Sequence, residues 1–252
     1  NVYSNITSDI TFKNMIVNGD FQIWQRRTSY TGPATISYPT ADHWYHSINP
    51  NVTLTSQKNS VTFGSGIGNT NSLRLTLSGM TSGYTIATAV ENALCLQNSF
   101  ATISMYSRCD NPQTLSITIV QEFGSGGSTA ITVCNANFNI TNQWARYSAT
   151  FQMPNISNLV VGENSCIKVF IQTDSALSSL TNIDIALVQL ENNISATNFS
   201  PRQYQIEEML CKRYYEEGYS TWSGRATANL GVAITHSYSV TKYKTPTLNV
   251  EI

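Results

Sequence analysis

Short segments in which apolar and polar residues alternate recur along most of this chain, and a period of two predicts β-strands. The turns between these segments are rich in Gly, Pro and Asn, which supply the backbone angles that turns require. Strands are predicted at 52–54, 72–77, 85–90, 101–106, 115–123, 145–151, 166–173 and 183–190. Many short strands with such turns are typical of an all-β fold, a jelly-roll β-sandwich.

One helical pattern is present, over residues 201–217, where residues that could share a face recur at spacings of three and four. This stripe consists of Ile206, Met209, Leu210, Arg213 and Tyr214. Ser200 and Gln203 form an S-x-x-Q pattern, with Pro201 between them, which predicts a capping box at the start. Gly218 predicts the end of the helix.

The patterns divide the 252 residues into four segments. These are an N-terminal extension (1–11), the jelly roll (12–200), a linking helix (201–217) and a C-terminal β segment (218–252). Two or three strands do not make a stable independent sheet. The last segment is therefore expected to join the sandwich, to pair with another subunit, or to continue into residues absent from this sequence.

Charge and hydropathy exclude two classes of partner. Charged residues make up only 12% of the chain and the net charge is -1, so the concentrated positive field that nucleic acid needs is lacking. No apolar run approaches the roughly 20 residues of a membrane-spanning helix. We therefore expect no nucleic-acid partner and no insertion into a membrane.

A cluster of rare residue types lies near the start of the chain, VNGDFQIW with QRRTS over 17–29 and YPTADHW over 38–44. An Asn-Gly pair favours a turn with positive φ, and the alternation after it predicts a strand whose entrance carries Asp20. Trp24 and Trp44 are interpreted as buried where the chain wraps over one end of the sandwich. The alternative interpretation is an exposed indole that stacks on a sugar ring.

These motifs resemble a jelly-roll module of phage tail-fibre and other virion surface proteins, whose pattern runs I-x-N-G-[DN]-F-x-I-W-Q-R-G-T-S and then Y-T-A-D-R-W. Residues 143–151 (QWARYSATF) and 183–191 (IDIALVQLE) resemble strands of carbohydrate-binding jelly rolls, and 196–216 is similar to the phage-fibre pattern A-T-x-[FY]-x-x-R-x-x-x-x-E-x-x-x-C-x-R-Y-[YF]-E. The motif residues are Asn18, Gly19, Phe21, Trp24, Asp42, Trp44, Trp144, Arg213 and Tyr214. The chain departs from the pattern at Arg27, His43, Asn198 and Ser200.

The resemblance implies a non-enzymatic virion protein on the tail or capsid surface that recognises a host-surface glycan. Other virion subunits are the further partners it implies, and fibre-like relatives suggest a homo-oligomer, with a trimer as the expected state. A purely architectural subunit is the first alternative. A secreted binding module of a polysaccharide-degrading enzyme is the second.

Two kinds of binding residue follow from the sequence and the resemblance. Aromatic residues in polar, turn-rich sequence are candidates for sugar platforms, namely Tyr30, Tyr38, Tyr45, Tyr84 and Trp222. The resemblance also implies a structural calcium between the start and the closing strand, with Asp20 and Asp184 as ligands. The alternative for these two carboxylates is hydrogen bonding within a turn and a strand. No other cofactor is implied.

Catalytic motifs are missing from the sequence. The histidines at 43, 46 and 236 offer few bases, and there is no G-x-S-x-G motif. Acidic residues cluster only on the predicted helix, where they are interpreted as a solvated face rather than as a glycosidase pair. They are Glu207, Glu208, Glu216 and Glu217, of which Glu208 is spaced to pair with Lys212. We therefore predict that the chain is not an enzyme.

The cysteines are odd in number and lack the C-x-x-C spacing of zinc sites. They are Cys95, Cys109, Cys134, Cys166 and Cys211. We interpret them as buried free thiols, because unpaired cysteine behaves as a small apolar residue. A disulfide between Cys95 and Cys109 is the alternative.

Overall fold

The computed structural model describes residues 13–35, 37–46, 49–63, 67–78, 80, 83–173, 180–218 and 237–248. Eleven strands and one helix lie in these ranges. In chain order they are β1 (Ser29–Ala34), β2 (Tyr45–His46), β3 (Asn49–Phe63), β4 (Gly68–Ser78), β5 (Thr85–Glu91), β6 (Phe100–Cys109), β7 (Gln113–Glu122), β8 (Ile131–Ile140), β9 (Ala145–Gln152), β10 (Cys166–Thr173), β11 (Thr181–Glu191) and α1 (Tyr204–Lys212).

The strands form two antiparallel sheets, which confirms the predicted jelly-roll sandwich. A six-stranded sheet has the order β1-β3-β4-β11-β6-β9, and a five-stranded sheet has the order β2-β5-β10-β7-β8. Apolar residues at alternate positions of both sheets share one buried cluster, as expected for strands with one face in a core. The core therefore lies between the two sheets, and each sheet keeps one outer face.

The predicted strands are all present, and the structure adds three. β1 and β2 are short and lie at sheet edges, and β3 is much longer than the predicted 52–54. β8 was missed because asparagines occupy its exposed positions, and Asn is depleted in strands. As an edge strand it pairs on one side only, with β7.

Helix α1 is shorter than the predicted 201–217, and the predicted capping box is wrong. Gln203 is the N-cap residue and makes no side-chain cap hydrogen bond. The N–H of Ser200 instead donates to Oε1 of Gln189, 2.8 Å away, so Ser200 belongs to the segment that crosses a sheet. The helix ends at Lys212, before Gly218, because the residues after it contact the sandwich.

Several terminal predictions lie wholly or partly outside the described residues. The extension 1–11 and most of 218–252 are among these, and residues 237–248 contain bends and no strand. The described part of the chain holds no helix long and apolar enough to cross a membrane. All five cysteines are free; Cys109 and Cys211 are buried as predicted, whereas Cys95 is exposed.

Candidate functional site

Asn18 organises the opening motif through its side chain. Its Nδ2 donates to the carbonyls of Ile23 and Asp42, each at 2.9 Å, and its Oδ1 accepts from the N–H of Ile23 at 3.0 Å. Its φ of 55° confirms the turn predicted from the Asn-Gly pair. Gly19 follows with no room for a side chain, since a Cβ would lie 2.1 Å from the carbonyl oxygen of Val188. The motif thus closes the sandwich against the last strand.

The two tryptophans of this region differ in exposure. Trp44 is 0% exposed, its Nε1 donates to the carbonyl of Asn18 at 3.0 Å, and its ring centroid lies 5.0 Å from that of Phe21. Trp24 is half-buried against the core, and its Nε1 donates to the carbonyl of Phe21. Burial of Trp44 is therefore confirmed, and this indole cannot stack on a ligand.

Glu207, which we expected on a solvated helix face, is buried in an ion pair with Arg202. Their side chains are 3% and 5% exposed, and Nη1 of Arg202 donates to both carboxylate oxygens at 3.0 Å. The same carboxylate accepts from the N–H of Asn18, and Arg202 donates to the carbonyls of Asn14 and Ile16. A buried ion pair thus joins the helix to the opening motif, which corrects the sequence interpretation.

Residues 192–203 cover the outer face of the six-stranded sheet at β11, β6 and β9. Glu191 of β11 accepts from the N–H and the hydroxyl of Thr197 at 2.9 and 2.6 Å, and Gln189 accepts from the N–H of Ser200 at 2.8 Å. Beside these bonds lies a second apolar cluster that includes the motif residue Trp144. Its members are Val61, Phe63, Tyr106, Trp144, Ala186, Leu187 and Phe199.

Asp184 lies on the same covered face, between two arginines. Its Oδ1 accepts from Nε of Arg74 at 2.7 Å, and its Oδ2 accepts from Nη2 of Arg74 and Nε of Arg108, each at 2.8 Å. Calcium requires about six to eight oxygen ligands, whereas guanidinium groups bind both oxygens of this carboxylate. Oδ2 of Asp20 accepts from Nε2 of Gln22, and its Oδ1 is buried without a hydrogen-bond partner.

Asp184 therefore does not fit the calcium site that the resemblance implies, because both of its oxygens bind arginines. Within the described ranges, no group of three or more His, Cys, Asp or Glu residues could hold a metal ion. Structural calcium stays a prediction, without ligands assigned to it.

The outer face of the five-stranded sheet carries small and polar side chains. One row of register partners crosses it from β2 to β8, through Tyr45, Ala87, Phe170, Thr118 and Asn135. These residues alternate along their strands with buried core residues, so they point away from the core. The row therefore places two aromatic rings and two hydrogen-bonding side chains on one surface.

A groove runs along β5 on this face. Ala87 and Ala89 are successive outward residues of β5, whereas the neighbouring strands carry Tyr45 on one side and Phe170 and Lys168 on the other. Two strands separated by a third lie roughly 10 Å apart. Large side chains at that separation form two walls with a shallow floor at Ala89, whereas Ala87 is fully buried beneath its neighbours.

The groove contains a cavity of about 330 Å³ lined by Ser37, Tyr38, Tyr45, Ala89 and Lys168. Ligand pockets in proteins span about 300–1,000 Å³. The rings of Tyr38 and Tyr45 lie 6.0 Å apart at 59°, and Tyr38 is 43% exposed. The structure therefore brings together two of the five aromatic residues that the sequence proposed as sugar platforms.

The charges around this cavity are paired. Nζ of Lys168 lies 2.7 Å from Oε1 of Glu122, and the guanidinium of Arg26 lies 5.4 Å from the ring centroid of Tyr38. Burial raises the pKa of Tyr38 more than Arg26 and Lys168 lower it, and burial also raises the pKa of Tyr45. Both phenol groups are therefore protonated at neutral pH and can donate hydrogen bonds.

Arg213 and Tyr214, two motif residues after the helix, bind Glu91 at the end of β5. Nε and Nη2 of Arg213 donate to its carboxylate oxygens at 2.8 and 3.1 Å, and the hydroxyl of Tyr214 donates to the same group. Burial alone would raise the pKa of Glu91, but these hydrogen bonds outweigh it and lower the pKa. The carboxylate is therefore ionised and paired.

The other proposed platforms lie elsewhere. Tyr84 is 2% exposed, and its hydroxyl lies 3.1 Å from Nδ1 of His46, so its assignment as a platform is wrong. Tyr30 lies on β1 of the six-stranded sheet, and its hydroxyl donates to the carbonyl of Pro33 at 2.7 Å. Trp222 is outside the described residues.

Sequence reasoning missed the floor and one wall of the groove. Ala87, Ala89, Lys168 and Phe170 carry no motif, and the apolar alternation drew attention to the inward positions. The signal was nevertheless present, because the strand sequences TIATAVE and CIKVFIQT place these residues at the positions opposite to the buried ones.

A second cavity, of about 280 Å³, lies between β3 and β4 and is lined by Ser60, Val61, Thr62 and residues 69–71. These lining residues carry hydroxyl and amide groups but no aromatic ring, so they can form hydrogen bonds and offer no surface for stacking. The groove on the five-stranded sheet is therefore the better candidate.

Comparison with known proteins identifies the type of domain. A family model described as "Carbohydrate binding domain" matches residues 13–162, whereas no curated protein sequence matches the chain. Similar solved structures include one described as "CBM4 structure and function" (15% identity, 71% of this chain, 99% of that chain, TM-score 0.41). A putative sugar binding protein from Bacteroides thetaiotaomicron is another (12% identity, 71% and 100% covered, TM-score 0.46).

A third similar structure is the enzymatically active domain of tailspike protein 4 from bacteriophage CBA120, at 10% identity and a TM-score of 0.45. The match covers 71% of this chain and spans only 21% of the tailspike chain.

Proposed function

The chain belongs to the carbohydrate-binding domain family, and we propose that it binds a glycan in the groove of the five-stranded sheet. The observation that carries this proposal is the pair Tyr38 and Tyr45 at the wall of a cavity of about 330 Å³ with an alanine floor. Tyr38, Tyr45 and Ala89 lie within the residues that the family model matches, whereas Lys168 and Phe170 on β10 follow them. The family is non-catalytic, and we propose no reaction.

The chemistry of the groove suits a sugar ring. A pyranose has an apolar face that packs on an aromatic ring and hydroxyl groups that need hydrogen-bonding partners. Tyr38 and Tyr45 supply the rings at the cavity, Phe170 adds a third ring on the neighbouring strand, and the small side chain of Ala89 lets a ligand approach the sheet. Hydroxyl and amide groups of Thr118 and Asn135 continue the row toward β8. Together these groups offer both kinds of contact.

The larger protein in this proposal is a virion surface protein that attaches to host glycan, on the tail or the capsid. Support comes from the sequence of 196–216, whose similarity to the phage-fibre pattern extends beyond the matched domain. A single shallow groove implies weak binding, and several copies on one particle would raise the avidity without new contacts. We propose a homo-oligomer for this reason, with a trimer as the expected state.

Two other roles share the same domain. An architectural virion subunit would use the aromatic groove against a neighbouring subunit, and a binding module of a polysaccharide-degrading enzyme would use it on the polymer. Low charge and many polar aromatic residues suit each of them.

A glycan array with the whole chain tests the proposal, with two exposed tyrosines as a matched pair. Tyr38 lines the groove and Tyr204 is on helix α1, and they are 43% and 51% exposed. We expect Tyr38→Ala to weaken binding about tenfold, a typical loss for a central aromatic contact, and Tyr204→Ala to leave it unchanged.

Other results assign the other roles. Absence of binding on host-derived and plant glycans, together with a stable assembly by mass measurement, would overturn glycan recognition and favour the architectural subunit. Preference for plant polysaccharides would favour the enzyme-attached module.

A further inference from the structure

The groove on the five-stranded sheet ends at Glu91, where residues from beyond the matched domain contact the sheet. Glu91 is the next outward position of β5 after Ala87 and Ala89. The two alanines leave the groove floor low, whereas the carboxylate of Glu91 binds Arg213 and Tyr214. The side chains of Glu91, Arg213 and Tyr214 therefore block the groove at this end of β5.

Tyr243 adds a third large side chain at the same end. Its N–H donates to the carbonyl of Arg213 at 3.0 Å, and its ring centroid lies 5.5 Å from that of Tyr214. Burial raises the pKa of Tyr243, and Glu91 and Cys166 raise it further by electrostatic repulsion. Cys166 is the register partner of Glu91 on β10. The guanidinium of Arg213 also lies 5.7 Å from the ring centroid of Tyr243. Tyr243 thus packs beside the two side chains that bind Glu91.

Ion pairs and hydrogen bonds hold this end wall in place. Lys242, next to Tyr243, has Nζ bonded to the carboxylate of Glu216 and to the carbonyl of Lys212, the latter at 2.6 Å. Side-chain exposures of 9% for Lys242 and 8% for Glu216 place this pair away from most solvent. A buried, hydrogen-bonded pair of this kind fixes the geometry of the segments that carry it.

The same segment supports the tyrosine wall. The guanidinium of Arg26 lies 3.4 Å from the ring centroid of Tyr215 and 5.4 Å from that of Tyr38, so it is placed between the two rings. Nε2 of Gln25 donates to the carbonyl of Tyr215 at 2.9 Å. Residues after the helix thus contact both the side and the end of the groove.

We infer that residues 213–218 and 237–243, with Arg213, Tyr214 and Tyr243, close the groove at Glu91 so that the site takes the terminal sugars of a glycan chain. A groove open at both ends would accept internal sugars of a long chain, and each added sugar would add contacts. A closed end blocks the glycan chain at Glu91. The number of contacts between glycan and protein therefore stops increasing once the groove is filled. This inference rests on the proposed glycan binding.

The test measures affinity against chain length by calorimetry on the whole chain. The probes are β-1,4-linked galactose, xylose and glucose oligosaccharides of one to six sugars, and the same length series of any further glycan bound on the array. For wild type we expect affinity to level off by the trisaccharide, with the hexasaccharide within about twofold of it. Tyr243→Ala should let the hexasaccharide bind at least fivefold more tightly than the trisaccharide.

Two control variants distinguish loss of the Tyr243 ring from unfolding of the domain. Tyr243→Phe keeps the ring and should preserve the wild-type plateau, and Tyr204→Ala on the helix should behave as wild type. Thermal unfolding of each variant shows whether the domain remains folded. Should Tyr243→Ala fail to fold, the wild-type length series with Tyr243→Phe still decides the question.

Different results would overturn the closed end of the groove and glycan binding itself. Wild-type affinity that rises tenfold or more from disaccharide to hexasaccharide, and still depends on Tyr38, would overturn the closed end and leave glycan binding intact. Absence of binding to every probe would overturn glycan binding itself and the closed end with it.

Discussion

The two outer faces of the sandwich have similar polar residues but use them differently. On the six-stranded sheet, Asp184, Gln189 and Glu191 are buried because they bind arginines and the segment 192–203. On the five-stranded sheet, Thr118 and Asn135 keep partial or full exposure. Composition alone therefore does not distinguish a structural face from a binding face; the covering segment does.

The aromatic residues show the same contrast. On the covered face, Phe63 packs against Tyr106 and Trp144, with ring centroids 4.7 and 5.1 Å apart. On the open face, Tyr38 and Tyr45 are 6.0 Å apart and line a cavity. Aromatic rings that pack against one another stabilise the fold. Rings that line a cavity remain able to contact a ligand.

The largest predicted effect is on the ion pair between Arg202 at the end of the covering segment and Glu207 in helix α1. Glu207→Ala would leave Arg202 buried without its carboxylate, and loss of one partner of a buried ion pair costs about 3–5 kcal/mol. Urea unfolding measures this loss in the free energy of unfolding.

Glu208→Ala is the matched control, since Glu208 pairs with Lys212 at 3.4 Å with both side chains partly exposed. Such a helix pair contributes at most about 0.5 kcal/mol. If both variants lost a similar free energy of unfolding, the ion pair with Arg202 would not stabilise the covered face more than an exposed helix pair does.

Two phenylalanines compare the faces directly. Phe63→Ala, on the covered face, should lower the free energy of unfolding by about 3 kcal/mol, because it opens a cavity in a packed cluster. Phe170→Ala, on the open face, should cost about 1 kcal/mol or less and weaken glycan binding.

Urea unfolding and titration with the array-selected glycan measure both effects. We expect Phe63→Ala to lose mainly stability and Phe170→Ala to lose mainly affinity for the glycan. A large stability loss for Phe170→Ala without change in affinity would mean that the open face is structural as well.

Sequence patterns predicted the sandwich because inward residues repeat every second position, and this period survives in a single sequence. They could not predict that Glu207 is buried, because Arg202 and the N–H of Asn18 must first be brought to it by the fold. Tyr38 and Tyr84 occupy similarly polar, turn-rich sequence, yet only one faces outward. Exposure of a loop residue depends on distant contacts, which local sequence does not record.

The smallest predicted effect is on the pH dependence of stability, because the two sheets should lose stability in different pH ranges. His43 and His46 lie on the β2–β5 side, and burial lowers their pKa values from 6.5 to about 4 and about 3. Since the unfolded chain binds protons that the folded chain does not, stability falls as pH drops below 6.5. A single such histidine costs about 1 kcal/mol between pH 6.5 and 5.5.

The covered face responds at lower pH. Burial would raise the pKa of Glu191, but hydrogen bonds from Thr197 and Gln189 lower it below 4.5, so its contribution is complete above that pH and is lost below it. Urea unfolding of wild type and His46→Gln from pH 4 to 7 tests the separation. We expect His46→Gln to flatten the slope between pH 4.5 and 6.5 by about 1 kcal/mol per pH unit and to leave the fall below pH 4.5. An unchanged slope would mean that the folded chain binds a proton at His46, and the acid sensitivity of this side would then come from His43.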